Sequence, residues 1–373
     1  MGAKVLRVLV ACPRVENPYV GELVRSLGAH EGIEDCRSSV DGFLTGKAEA
    51  DVVHIQWPEA LFGWKDPKPD ALRRLQDSLS SWRERGTAIV TTVHNEIPHI
   101  RRSESSSELY EIVLGESHAL IHFGWASQEI LRARYGEIVN ACEQWTIPHG
   151  DYSVFVKRPP MHDAVAGVST AGCRFLVFGT IRDANEVTLI RALWREVRRR
   201  GGTLSIVARL PHPGRRSLAY YRTRMPFQLG RGVNMKEMFV PDDEVQEVVD
   251  TSDVIVVPRH NTLNSGNIAL AYTFGKVVLG PCIGNIGEEL RASGNAIFDP
   301  RSGKSLARAV DEAIDLVGAR HGALNLLRAK NLMNWRDVAD QHHRLYLSAV
   351  REAGKTRSTR RMSKIPHRSG SVG

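Results

Sequence analysis

Short apolar runs separated by amphipathic stretches recur along almost the whole chain, and this alternation restricts the fold more than any other feature. "VLRVLVAC", "DVVHIQW", "AIVTTVH" and "HALIHF" are short, β-branched and bounded by polar or turn residues, so they predict strands. Between them, "YVGELVRSLGAH" places Val20, Leu23, Val24 and Leu27 at helical spacing. "PDALRRLQDSLSSWRERG" predicts an amphipathic helix closing on Gly86, and "SQEILRARYG" a helix with Ser127 as its cap. "QWTIPHGDY" closes this half. After "VKRPPMHDAVAGVSTAG", which has no period and is rich in Pro, Gly and Ala, the alternation resumes. "CRFLVFG", "TLSIVARL", "DVIVVPR" and "KVVLG" predict strands. "NEVTLIRALWREVRRRG", "DDEVQEVVDTS" and "SLARAVDEAIDLVG" predict helices, the second capped by Asp242 or Asp243. Strands that alternate with helices form parallel sheets covered on both faces. The expectation is α/β, two doubly wound Rossmann-like domains, whose strand C-termini can face a shared cleft.

The expected boundaries are 1–155 for the first Rossmann-like domain, 156–172 for a linker and 173–335 for the second Rossmann-like domain. A helix over 336–353 would return to the first domain, and 354–373 would be a basic disordered tail. With 373 residues and 42% hydrophobic content, two cores of ordinary size are affordable. No apolar run reaches the ~18 residues of a membrane-spanning helix. The opening "MGAKVLRVLVACPRV" reads as the first strand rather than a leader, and Leu6 breaks a myristoylation pattern. Cys12, Cys36, Cys142, Cys173 and Cys282 are scattered, odd in number and without a C-x-x-C pair, which predicts reduced thiols in a cytoplasmic protein and no zinc site.

Charge is concentrated at one end. Lys355, Arg357, Arg360, Arg361, Lys364 and Arg368 lie in a tail without acids and account for most of the net +8. Such a tail is ordinarily a solvated segment; its functional reading is attraction to an anionic membrane surface, which would make the protein peripheral on the inner membrane face. Nucleic acid is not expected as a partner, because basic and aromatic residues are not interleaved in the body.

Four segments carry a resemblance: "TIPHGDYSVF", "FLVFGTIRDANEVTLIRAL", "DVIVVPRHNTLNSGNIALAYTFGKVVLGPCIGNIGEE", and "HIQWPE" together with "TTVHNEIPH". Across most of residues 1–350 they are similar to glycosyltransferases of the GT-B fold, near the family 4 group and bacterial polysaccharide mannosyltransferase-like enzymes. The resemblance implies a hexosyltransferase in polysaccharide biosynthesis that moves a sugar from a nucleotide-sugar donor, GDP-mannose-like or a UDP-sugar, to a glycan, lipid-linked or small-molecule acceptor. It implies no cofactor beyond that donor. The third segment corresponds to the donor diphosphate and ribose loop, the second to the strand, loop and helix that open the nucleotide domain.

The residues of those segments suit the task. Ser265 is expected to cap a helix starting near Asn267, and the amides there, with the helix dipole, favour an anion. Gly266 permits close approach of the backbone. Arg182, Ser265, Gly266, Asn267 and Arg259 are the expected diphosphate ligands, with Arg209 and Lys276 as further cations. Asn285, Glu288 and Glu289 in "IGNIGEE" are expected at the donor sugar or ribose. The chain departs from the family 4 pattern where Thr262 and Leu270 stand for its two glutamates and Asn185 for its lysine. With that pair gone and the "WPE" and "HNEIPH" motifs present, inversion is expected, with His94 or Glu96 as base. His54, Trp57, Glu59 and His99 are expected on the acceptor side, and His122, His149 and Tyr152 near the hinge. No D-x-D motif stands where a metal-dependent transferase needs one, since "PDDE" reads as a helix start, so metal-independent catalysis is expected. Two rival readings are a catalytically degenerate partner subunit that binds nucleotide weakly, motivated by the missing Glu and Lys, and a sugar-phosphate epimerase, whose acidic and histidine groups are not found in the required places.

Overall fold

The computed structural model describes residues 5–13, 18–96, 104–159, 172–210 and 233–363, with side chains as far as residue 355. The chain divides into two compact units. One holds the residues up to Pro148 with the helix from Trp335; the other runs His149–Asn334.

The first unit is built on a six-stranded parallel sheet of β1 (Leu6–Ala11), β2 (Ile33–Ser38), β3 (Val52–Ile55), β4 (Ala88–Thr92), β5 (Ala119–His122) and β6 (Glu143–Thr146), ordered β2-β1-β3-β4-β5-β6. The order reverses between β1 and β3. In such sheets ligands sit beyond the strand C-termini at the reversal. Val8 and Val10, Val52, Val90 and Ile121 share one face and pack on Val20, Leu23 and Leu27 of the helix Pro18–Gly28. The same cluster takes in Val338, Leu345, Tyr346 and Ala349 of the helix Trp335–Ser363. This last helix extends through residues expected in the disordered tail; residues 364–373 lie outside the described ones.

The second unit has a six-stranded parallel sheet ordered β9-β8-β7-β10-β11-β12, from β7 (Arg174–Thr180), β8 (Thr203–Arg209), β9 (Val233–Lys236), β10 (Val254–Val256), β11 (Val277–Pro281) and β12 (Ala296–Phe298). Counted within the unit this is the 3-2-1-4-5-6 order of a doubly wound dinucleotide-binding sheet, with its reversal between β7 and β10. Both faces are covered. Phe175 and Val177 meet Val187, Ile190 and Leu193 of the helix Ala184–Arg199, while Leu176, Ile255 and Val278 meet Ile268, Tyr272, Ile286 and Leu290. That burial on two sides explains why these strands read as continuous apolar runs.

Several local expectations are corrected. Ser127 does not cap its helix: the helix is Trp125–Tyr135, Gly124 is the cap, and the Ser127 hydroxyl lies between the Gly124 carbonyl and His122 Nδ1. Neither Asp242 nor Asp243 caps the following helix; both lie in a 3-10 turn, Asp242–Glu244, that runs into Val245–Asp250 without a side-chain cap. The first residues of the expected linker, 156–159, are tied to the second unit. Phe155 is in the second core, and the buried Gln246 side chain accepts from the amides of Lys157 and Arg158 and donates to the Arg158 carbonyl. Of the expected linker, residues 160–171 lie outside the described ones. Strands β2, β6 and β9 and the helix Gly322–Leu332 carried too little periodicity to be read in advance.

Candidate active site

In the second unit, the loops after β7 and β10 meet at the reversal of strand order. Asp183 ends the β7 loop and caps the helix Ala184–Arg199, its Oδ1 accepting from the amides of Asn185 and Glu186 at 2.9 and 3.0 Å. Glu186 is 2% exposed and its Oε2 is a hub. It accepts from the Arg182 amide at 2.8 Å and from Arg259 Nη1 at 2.6 Å. Arg259 Nη1 also donates to the Thr180 carbonyl at 3.0 Å. Arg259 Nε is buried and has no hydrogen-bond partner among the described residues. Arg182 reaches across to Thr262, donating from Nη1 to Oγ1 at 2.8 Å. Desolvation, and then the adjoining Arg259 charge, push its guanidinium down to about 10, which leaves it a cation at neutral pH. His260 Nε2 lies 2.8 Å from Asp183 Oδ2.

The helix Gly266–Thr273 starts beside these groups. Ser265 is its extended cap residue, as expected, yet its hydroxyl makes no capping bond, so the first-turn amides lack that side-chain partner. Asn267 Nδ2 donates to the Phe178 carbonyl at 2.9 Å and ties the helix start to the end of β7. Gly266 packs closely: a Cβ there would lie 2.6 Å from Tyr152 Oη and 3.7 Å from His149 Nε2, so Tyr152 would have to shift. Both residues are therefore neighbours of this helix end. His149 Nδ1 is 2.6 Å from the Gly150 carbonyl, and burial holds the ring neutral, down at about 4.

The residues expected at the donor sugar divide. Asn285 is buried, donating to Asn264 Oδ1 at 2.8 Å and, through its amide, to the Leu263 carbonyl at 3.1 Å. Glu289 is held by both arms of the Arg328 fork, at 2.6 and 3.0 Å. Glu288 is half-buried on the same helix, Gly284–Ala292. Of the further cations, Lys276 is buried before β11, 4.0 Å from Asp250, at the strand's other end. Arg209 lies over the Phe239 ring at 4.7 Å.

In the first unit, His94 follows β4. The alternation of a strand places Val52, His54 and Gln56 on one face, with Val90, Thr92 and His94 beside them in the neighbouring strand. His94 Nε2 is 2.9 Å from Gln56 Oε1, and Gln56 Nε2 is 2.9 Å from His54 Nε2. The His94 ring stacks on Trp57, centroids 3.9 Å apart and planes at 21°, with Tyr19 and Phe123 edge-on at 5.5 and 5.3 Å. Trp57 is therefore a wall of the histidine's pocket. His54 is fully buried and held well below the ordinary imidazole range by burial and by His342. Glu96 Oε1 accepts from Arg134 at 3.1 Å. Glu59 is 6% exposed and accepts from Asn95 Nδ2 and Tyr110 Oη at 3.1 and 2.9 Å, so it supports the turn that carries His94. His122 is buried between Ser127 and Gln144, and burial lowers it to about 4. His99 lies outside the described residues.

Two features here were not read from sequence. Gln56 was passed over within "HIQW", although its i+2 spacing from His54 was a usable signal. Trp64 is 40% exposed with φ +63, and Trp125, 64% exposed, begins the helix after β5. A bulky residue in the left-handed region points to a local constraint.

No protein-family model matches the chain. It is 24% identical over 356 residues to a GDP-mannose:glycolipid 4-beta-D-mannosyltransferase of Xanthomonas campestris pv. campestris, covering 91% of this chain and 90% of that protein. Among solved structures it resembles sucrose-phosphate synthase from Thermosynechococcus elongatus, with TM-score 0.65, 16% identity, and 92% and 98% of the two chains covered. It also resembles HepE of Anabaena, solved with UDP and glucose, with TM-score 0.65, 11% identity, and 92% and 100% covered. The fold is GT-B.

Within the GT-B fold, the departures noted in sequence now have locations. Thr262, at the first glutamate position of the family 4 pattern, is the residue that receives Arg182. Leu270, at the second, is buried in the core. Asn185, at the lysine position, is exposed at the start of the helix Ala184–Arg199. Among the described residues no three His, Cys, Asp or Glu side chains cluster to hold a metal ion, and no helix is long and apolar enough to cross a membrane.

Proposed function

We propose that this chain transfers a hexose from a nucleotide-sugar donor to a glycan or lipid-linked acceptor, with inversion and without a metal ion. The observation that carries the donor half is Arg259. A buried guanidinium with an unpaired Nε is costly, about 1–3 kcal/mol for a donor left unmade, unless a ligand completes it. It sits at the strand reversal of a dinucleotide-type sheet, with Arg182 and the amide end of Gly266–Thr273 as neighbours. Two guanidinium groups and a helix N-terminus suit a leaving diphosphate. A metal-independent transferase must neutralise that leaving group with such groups.

The similarity to a mannosyltransferase favours a GDP-mannose-like donor over a UDP-sugar, and a glycolipid acceptor. That relative's name gives a β-linked product; from an α-linked donor, such a product requires inversion. Inversion needs one base to take the acceptor proton. His94 suits this better than Glu96, because Glu96 is committed to Arg134, whereas His94 is oriented by a neutral amide. Membrane association through the basic tail remains part of the proposal.

The degenerate-partner reading has one observation in its favour: Glu186 already neutralises Arg259. Calorimetry with GDP, UDP and their mannose and glucose derivatives, with and without magnesium, separates the two. Tight binding of one donor, at least tenfold weaker in Arg182→Ala and indifferent to magnesium, supports the transferase. No binding at millimolar nucleotide sinks the donor site and leaves the partner-subunit reading.

A further inference from the structure

Three side-chain bonds cross between the β7 and β10 ends of the second unit. Arg259 Nη1 donates to Glu186 Oε2 at 2.6 Å, Arg182 Nη1 donates to Thr262 Oγ1 at 2.8 Å, and His260 Nε2 lies 2.8 Å from Asp183 Oδ2. The third bond adds an imidazole to the two loops that carry both guanidinium groups: His260 follows Arg259, and Asp183 follows Arg182. The His260 side chain is 29% exposed, and its Nδ1 makes no hydrogen bond to a described residue. One ring nitrogen is therefore anchored and the other is open to a ligand.

Charge decides what these loops can hold. The cations of Arg182 and Arg259 stand against the carboxylates of Glu186 and Asp183, two against two, so the four cancel. Burial raises Asp183, but the Glu186 amide and His260 outweigh it and hold the carboxyl below its ordinary range. The other elements that meet here add no charge to the balance. β8 ends beside Thr180 at Arg209, whose guanidinium lies over the Phe239 ring. The helix Gly266–Thr273 begins with Gly266, Asn267 and Ile268, and the helix Gly284–Ala292 meets the β10 loop at Leu263 through Gly284 and Asn285. Asn185 stands where the family 4 pattern has a lysine. A nucleoside diphosphate is a multiply charged anion, and a pocket whose side chains cancel offers it only helix amides. A proton on His260 makes the same pocket positive.

We propose that His260 is the third cation of the diphosphate site, oriented by Asp183 through Nε2 and donating its Nδ1 proton to a phosphate oxygen of the nucleotide. This rests on the reading of the second unit as the donor site. The imidazolium supplies the charge that Asn185 does not, with the difference that an imidazole carries it only when protonated. A carboxylate on one nitrogen and a phosphate on the other both favour the charged ring. Nucleotide binding is then linked to proton uptake in the range where a free imidazole is largely neutral. Asp183 serves twice. Its Oδ1 caps the helix Ala184–Arg199, which fixes the carboxylate, and its Oδ2 is left to hold the ring.

The test is calorimetric titration of the full chain with GDP and with UDP from about pH 6 to 9, in two buffers of different ionisation enthalpy, so that proton uptake is read together with affinity. The parent is expected to take up more protons on binding at about pH 7.5 than His260→Gln, whose uptake is that of the nucleotide and the remaining groups alone. His260→Gln should bind about tenfold or more weakly at about pH 6.5, as for a lost charge-assisted bond, and the gap should narrow towards pH 9. His260→Lys carries a fixed charge, so it should keep the affinity and lose the extra uptake; it also serves if the glutamine variant loses its folded spectrum. Uptake equal to the parent's in the folded variants, or a loss in His260→Gln that is the same at both ends of the pH range, overturns the inference and leaves His260 as a tie between two loops. No binding of either nucleotide by the parent at millimolar concentration overturns the donor site itself, and this role with it.

Discussion

Glu186 and Arg259 form a buried ion pair at 2.6 Å, with relative side-chain exposures of 2% and 7%, at the reversal point of the second sheet. The pair joins the helix Ala184–Arg199 to the loop after β10, so it fixes the segments that carry Arg182 and Thr262. Removing one partner leaves a buried charge uncompensated. Glu186→Ala is expected to destabilise the protein by about 3–5 kcal/mol, measured by urea unfolding. The same loss should follow Arg259→Ala if the pair is chiefly structural; Arg259→Ala should in addition abolish donor binding in protein that remains folded.

Arg182 is held by Thr262 through a single hydrogen bond. Arg182→Ala should weaken binding of the donor nucleotide by one to two orders of magnitude, in keeping with about 1.5–3 kcal/mol for a charge-assisted bond. Thr262→Val removes only the tether and should cost several-fold at most. Equal losses in the two calorimetric titrations would show that Thr262, not Arg182, meets the ligand.

Gly266→Ala places a methyl group 2.6 Å from Tyr152 Oη. The expected cost is about 1–3 kcal/mol of overpacking, seen as a lower melting temperature. Tyr152→Phe in the same chain removes the clashing oxygen and should recover part of it. A Gly266→Ala protein as stable as the parent would mean that Tyr152 moves away without cost.

Buried histidines give a pH dependence of definite sign. Burial lowers His122 and His342 from 6.5 to about 4. The unfolded chain therefore binds more protons between those values, and stability that is fully present above about pH 6.5 is lost as pH falls towards 4. Each shift corresponds to at most about 3 kcal/mol. Urea midpoints measured from pH 7.5 to 4 should fall, and His122→Gln should flatten the slope. Midpoints flat over that range would contradict the neutral, buried rings.

Trp64 combines exposure with a left-handed backbone. Trp64→Gly should leave stability unchanged or raise it by about 1 kcal/mol, since the conformation costs that much for an L-residue with a side chain. If the ring is held there to meet a sugar acceptor, the same change should raise acceptor KM in a transfer assay while melting temperature does not fall. Unchanged acceptor kinetics would make Trp64 a turn residue only.

Much of the architecture was legible because parallel sheets covered on both faces leave an unambiguous trace, continuous apolar runs such as "DVIVV" separated by helical periods. Strands that are half-exposed or short, such as β2 with its "IEDCRS", leave none. Within the site, Arg182, Arg259 and Gly266 stood out by residue type and place. Their partners did not. Glu186 looked like any first-turn acid of a helix, yet it is the buried hub for both arginines. Ser265 had the composition of a capping residue, but its hydroxyl makes no capping bond. Glu59 and Glu289 had the composition of site carboxylates and are committed to Asn95 and Tyr110 in one case and Arg328 in the other.

The amino-acid order by itself determined two α/β units, the location of their glycine-rich turns and the presence of arginines and histidines at strand ends, because periodicity and local backbone preference act over a few residues. Tertiary structure alone decided which of those groups remain available for chemistry. The contacts that occupy Glu59, Glu289 and Lys276, and the bonds from His54 to Tyr346 and from Gln56 to His94, join residues dozens to hundreds of positions apart, and no local pattern encodes such pairings.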